Sequence, residues 1–108
     1  MTIEDLTLAL RQFAADRQWE PFHTPKNLAM AIAGEAGELL AELQWLTPAE
    51  SASLTPDQRK AVAAEMADVL IYLCRLADVL GVDLLDAAHA KVAVNAERFP
   101  IRGIAQEP

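Results

Sequence analysis

Two pairs of carboxylates dominate any chemical reading of the chain, Glu35-x-x-Glu38 in "AIAGEAGELLAELQWL" and Glu65-x-x-Asp68 in "AEMADVLIYL". Residues three apart are neighbours on a helix surface, so each pair sets two acids side by side. Oxygen-only donors suit hard divalent cations, Mg²⁺ or Mn²⁺. The setting of these acids is apolar. On a wheel of about 100° per residue, Leu28, Ile32, Leu39 and Leu46 share an arc, with Glu35 beside its centre. Glu38 and Glu42 lie at the edge of that arc. A second arc, Val62, Val69, Tyr72, Leu73 and Leu76, contains Glu65, and Asp68 follows one turn along the same side.

If the two helices pack antiparallel, four carboxylates converge. Such a cluster persists by protonation, by pairing with Lys or Arg, or by holding cations. Several protonated carboxyls at neutral pH would demand severe pKa shifts. Bases on these helices are few: Lys26, Arg59, Lys60 and Arg75. Cations are the favoured answer. One E-x-x-E on a helix is ordinarily a solvated face; two acidic sets on apolar arcs of neighbouring helices are not. Gly34 and Gly37 each cost about 1 kcal/mol against alanine inside a helix, and their bare backbone admits another helix or a ligand.

Lys91, Asn95 and Arg98 form a polar stripe at i, i+4 and i+7. Such a stripe is commonly solvated, but near bound cations it suits phosphate oxygens. Trp19, Trp45 and Tyr72 are three of six aromatics. Aromatics at helical spacing are ordinarily core; beside a metal-phosphate site they would sandwich a nucleobase. His23 is a further pocket candidate, though a structural or solvent-facing role is the ordinary one.

Other chemistries lack their residues. A di-iron carboxylate bundle needs two Glu-x-x-His pairs. Glu20 to His23 contains Pro21 and lies in a connector, and His89 has Leu85 and Asp86 upstream. Cys74 has no histidine at helical spacing and reads as a small buried apolar residue. No Walker-type or dinucleotide glycine loop occurs. What remains is metal-assisted attack by water, with Glu38 as a charged metal ligand that turnover needs; Glu35, deepest in its stripe, is the candidate base, and a metal-bound hydroxide that needs no dedicated base is the alternative.

These side chains need helices to hold them, and helices are what the patterning predicts. No stretch alternates with period two, and the prolines fall between periodic segments, so the expected fold is all-α. Thr2 caps a first helix to about Gln18, with Asp5 three places on. Thr24 and Pro25 open a second to about Leu46, and Thr47-Pro48 a single turn. Thr55-Pro56 opens a third that ends at Leu80 before Gly81. Asp83 caps a fourth, about Leu84 to Phe99. Four main helices with short connections predict one antiparallel bundle over residues 1–108, with a loosely held tail at 101–108.

Composition narrows the partners. The 108 residues are 53% hydrophobic, high for one small core, which predicts a homo-oligomer. A net charge of −7 argues against duplex nucleic acid. No run approaches the roughly 18 apolar residues of a membrane span. "MTIEDLTLAL" lacks the basic region and cleavage site of a signal peptide. With a single cysteine, the expected compartment is the cytoplasm.

"GEAGELLAELQWL" followed by "AEMADVLIYL", with "WEPFHTPKNL" before and "KVAVNAERFP" after, resembles the MazG-like all-α nucleoside triphosphate pyrophosphohydrolases, and within them the dCTP pyrophosphatase branch. The resemblance runs in order and spacing along nearly the whole chain. It implies hydrolysis between the α- and β-phosphates of a (deoxy)nucleoside triphosphate, dCTP-like or with a modified base, in nucleotide-pool housecleaning. It further implies Mg²⁺ on Glu35, Glu38, Glu65 and Asp68, phosphate contacts from Lys91, Asn95 and Arg98, and a base and sugar pocket of Trp19, Trp45 and Tyr72. Members of the family form homodimers or homotetramers with sites near subunit interfaces. One position departs: where the animal dCTP enzymes carry a pocket histidine, one turn before the phenylalanine matching Phe13, this chain has Leu10. The alternatives are a non-catalytic helical interaction module with a vestigial acidic site, or a nucleotide-binding sensor.

Overall fold

The computed structural model describes residues 1–101, and all regular structure among them is helical. The elements are α1 (Ile3–Asp16), a 3₁₀ turn (Glu20–Phe22), α2 (Pro25–Leu43), the one-turn α3 (Pro48–Ser51), α4 (Pro56–Leu80) and α5 (Leu84–Arg98). The tail expectation for 101–108 falls outside the described residues beyond Ile101.

Each start is built from its cap. The hydroxyls of Thr2, Thr47 and Thr55 accept from backbone N–H groups three residues on, and Asp5, Glu50 and Gln58 reach back to the cap N–H. These are reciprocal capping boxes. Thr24 accepts from the Asn27 N–H at 3.2 Å and Asp83 from the Asp86 N–H at 3.0 Å. Proline follows three of the threonines, at a position where a missing N–H loses nothing.

The ends differ in an informative way. α4 stops at Gly81, in the left-handed conformation at φ 68°, and Val82 N–H returns to Ala77 C=O at 2.8 Å. α1 ends by the same device without a glycine. Gln18 takes φ 56°, its N–H bonds Ala15 C=O at 3.1 Å, and Trp19 N–H bonds Ala14 C=O at 3.0 Å. A side chain in that region costs roughly 1–2 kcal/mol. The strained turn ends α1 at Asp16, two residues short of the helix expected from periodicity, and aims Trp19 back over Phe13, with ring centroids 5.7 Å apart.

α4 is the spine. It packs most extensively on α2 and next on α1. The buried apolar residues among those described are Ala14, Leu28, Cys74 and Ala77, all contributed by α1, α2 and α4. Burial pushes the Cys74 thiol up from its usual pKa, which suits an inert packing residue. α5 buries none of its residues. The chain is extended for its size, with a radius of gyration of 16.9 Å against about 13 Å for a compact domain of 100 residues. Met30, Leu40, Met66, Val92 and Val94 are all exposed. No described helix is long and apolar enough to cross a membrane.

Candidate active site

Glu35 and Glu38 project from α2, and Glu65 from α4, into the seam between the helices. One carboxylate oxygen from each lies within 4.8 Å of the others. Oε2 of Glu35 and Oε2 of Glu65 are buried without a hydrogen-bond partner. An orphaned carboxylate oxygen is among the more unfavourable groups to leave in a protein interior. Burial, then the nearby Glu38, then Asp68 and Glu65, raise the pKa of Glu35. Burial, then Glu38, Asp68 and Glu42, raise that of Glu65. Asp68 therefore belongs to the same electrostatic cluster, although it stands outside the tightest group of three. No lysine or arginine forms an ion pair with these acids among the described residues. The donor set fits a hard divalent cation, whose charge would relieve both the repulsion and the two unpartnered oxygens.

One turn further along α4 the surface changes from acidic to aromatic. Ile71, Tyr72 and Arg75 face Leu10, Phe13 and Ala14 of α1, and Trp19, Phe22 and His23 of the connector close a cavity of about 470 Å³. Arg17 covers the Phe13 ring, its guanidinium carbon 3.4 Å from the centroid. Trp19 is 44% exposed and Phe22 67%, so the cavity has a ring-lined open mouth. That volume suits a planar heterocycle and its sugar.

The structure gathers some of the residues singled out by sequence and leaves others apart. Glu35, Glu38 and Glu65 meet, with Asp68 beside them; Trp19, Tyr72 and His23 share the cavity. Trp45 does not line that cavity. α2 ends at Leu43, before the expected Leu46, and the indole stands 87% exposed. Lys91 and Arg98 are exposed on α5, Asn95 is half-buried, and none lines the cavity. Gly34 and Gly37 have no close neighbour: a Cβ at either would meet nothing within 4 Å. Their bareness is thus not explained by packing inside one chain.

Sequence reasoning missed Phe22, Ile71 and the polar chain behind the cavity. There Arg75 donates to His23 Nδ1 at 3.0 Å and to Asp78 at 3.1 Å, and Arg11 grips Asp78 at 2.6 and 3.0 Å. The only local signal was the i, i+3 pair Arg75 and Asp78.

Human dCTP pyrophosphatase 1 is 44% identical over 101 residues, covering 92% of this chain and 59% of that protein. The Rattus norvegicus protein of that name is 43% identical over 102 residues, covering 93% and 60%. The chain thus spans about 60% of the length of the curated relatives it matches. A pyrophosphatase from Archaeoglobus fulgidus superposes with a TM-score of 0.85 at 38% identity, over 91% of this chain and 92% of that one. The model of the MazG-like family matches residues 30–106, a span that takes in both carboxylate pairs and all of α5. By that match the chain belongs to the MazG-like family.

Proposed function

We propose that this chain is a divalent-cation-dependent nucleoside triphosphate pyrophosphohydrolase, releasing pyrophosphate and a nucleoside monophosphate. The observation that carries this is the pair of buried, unpartnered oxygens on Glu35 and Glu65, in a cluster whose Asp68 lies one helical turn from Tyr72 of the open aromatic cavity. Glu35, Glu38, Glu65 and Asp68 would hold Mg²⁺, with Mn²⁺ a chemically similar substitute. A cation held there supplies charge neutralisation at the phosphates and acidifies the attacking water.

The chain's own groups do the rest. Trp19 and Tyr72 confine the base and sugar, which directs the triphosphate along α4 toward the acids. Glu35, its proton affinity raised by burial and like charge, is suited to accept the proton of the attacking water. The likeness to dCTP pyrophosphatases and to an archaeal pyrophosphatase supports a dCTP-like or modified-base substrate. Leu10 on the cavity wall offers no polar contact, so cytosine need not be selected strictly.

Trp45 and the Lys91, Asn95 and Arg98 stripe lie outside the cavity of one chain, while large apolar side chains stand exposed and the two glycines face open space. A homodimer or homotetramer reconciles these facts, with Trp45 and the basic stripe completing the site across subunits. The test is pyrophosphate release from a panel of nucleoside and deoxynucleoside triphosphates with and without Mg²⁺. Metal-dependent release from at least one of them is expected; no release from any, by folded protein, rejects the proposal in favour of a binding module.

A further inference from the structure

His23 stands in the cavity wall beside Trp19, with ring centroids 6.1 Å apart. Its Nδ1 faces Nε of Arg75 at 3.0 Å. A guanidinium keeps its protons and cannot accept, so the imidazole nitrogen opposite it must be bare. In a neutral imidazole the proton then resides on Nε2.

Arg75 is not free to turn away. It is 7% exposed, and Nη1 donates to Asp78 Oδ2 at 3.1 Å. Asp78 is itself gripped through both oxygens by Arg11 of α1, at 2.6 and 3.0 Å. The chain Arg11–Asp78–Arg75 thus crosses the α1–α4 seam and locks the orientation of one ring. Burial and the charge of Arg75 also hold the His23 pKa below its ordinary value, which keeps the ring neutral. Nε2 has no hydrogen-bond partner among the described residues, and the other walls are mostly apolar or aromatic.

We propose that Arg75 is a positioning residue that presents His23 as an Nε2–H donor to a hydrogen-bond acceptor on the edge of a base held in this cavity. The inference rests on the cavity being the nucleobase site, as proposed above. A base carbonyl or bare ring nitrogen would satisfy the donor. A ring N–H in the same place would leave two donors facing each other, a mismatch that discriminates more strongly than a missing methyl group. With leucine at position 10, this contact comes from the connector rather than from α1.

Two measurements test it. The chain has two histidines, so ¹⁵N-labelled, nucleotide-free protein gives resolved imidazole spectra, with exposed His89 as internal reference. At neutral pH, His23 is expected with Nε2 protonated and Nδ1 bare, shifting to a tautomer mixture in Arg75→Met. A wild-type ring protonated on Nδ1, or on both nitrogens, overturns the proposal. In steady-state kinetics on a deoxynucleotide panel, Arg75→Met and His23→Phe should raise KM for the preferred base about tenfold with kcat held within about twofold. Both should flatten the preference among bases, and Arg75→Lys should restore part of it. An equal change for every base overturns the proposal. Should Arg75→Met fail to fold, the wild-type spectrum and His23→Phe decide alone. A wild-type protein that hydrolyses no triphosphate defeats the hydrolase assignment instead, because the spectrum needs no nucleotide.

Discussion

Glu35 on α2 and Glu65 on α4 each turn an oxygen, Oε2, into the seam between the helices, where neither meets a donor. A structure that only had to be stable would place leucine or alanine there. The consequence is an acid pair whose energy depends on pH and on cations. Both carboxyls have folded-state pKa values raised by burial first and by neighbouring acids next. A raised carboxyl pKa means the folded state holds its proton longer than the unfolded state. The penalty is absent below the ordinary carboxylate range, appears as pH climbs past about 4.5, and is complete above the raised values. Metal-free protein should therefore lose stability on going from pH 5 to pH 7.5. Saturating Mg²⁺ should restore it, with a Tm gain on the order of 5–10 °C that is larger at the higher pH. Thermal scans with and without chelator check this, and a metal shift independent of pH contradicts it.

Glu38→Gln should lower turnover by at least about a hundredfold, the size expected when a charge-stabilising group leaves an active site. The variant should stay folded, because Glu38 is exposed and the substitution removes a like charge from the cluster. Circular dichroism and metal-free Tm equal to or above wild type would accompany the lost activity. Retained turnover would remove Glu38 from the site.

Trp19→Ala should raise KM about tenfold or more, in line with roughly 1–3 kcal/mol per stacked base, and should change kcat less. Trp45→Ala addresses a different point, since that indole lies outside the cavity of one chain. A KM increase for Trp45→Ala is expected if a second subunit completes the pocket. Sedimentation of the wild type should then show an oligomer, and an unchanged KM would make Trp45 irrelevant to substrate.

The strained end of α1 gives a stability prediction. Gln18→Gly removes a side chain from the left-handed region at φ 56°. After allowing for the extra freedom glycine adds to the unfolded chain, a net gain of about 0.5–1 kcal/mol is expected. Denaturant unfolding measures it; a loss of stability would mean the Gln18 side chain has a role of its own.

Asp78 yields the opposite pH signature from the glutamates. Its bonds to Arg11, and to a lesser degree Arg75, hold its pKa below the ordinary value of 3.8 despite partial burial. Its contribution is therefore present above the unfolded pKa and is lost as pH falls through the lower folded value. Asp78→Asn should reduce Tm by several degrees at pH 7, with the difference shrinking as pH falls below the ordinary value of 3.8. A gap that persists at low pH would point to lost packing instead.

What the sequence made legible was mostly local. The threonine and aspartate caps at Thr2, Thr24, Thr47, Thr55 and Asp83 lie within three residues of their partners, and the helix starts follow from them. The acid pairs were visible because i, i+3 spacing is a property of a single helix. The Arg11–Asp78 grip joins residues 67 apart, and its existence depends on how α1 slides along α4. His23 Nδ1 meets a guanidinium 52 residues away for the same reason. The early end of α1 was hidden because glutamine, not glycine, takes the left-handed position. Periodicity also could not say that Trp45 would stand beyond the end of α2, because the arc shared by Leu39 and Leu46 continues past the last helical residue.

The central claim is that the α2–α4 acids exist to hold cations against a triphosphate. Anomalous diffraction from crystals grown with Mn²⁺ and a non-hydrolysable nucleotide tests it most directly. The expected map has one or more manganese peaks bridging Glu35, Glu38, Glu65 and Asp68, with the base against Trp19 and Tyr72. A nucleotide bound with its metal elsewhere, and those four carboxylates without metal, would contradict it.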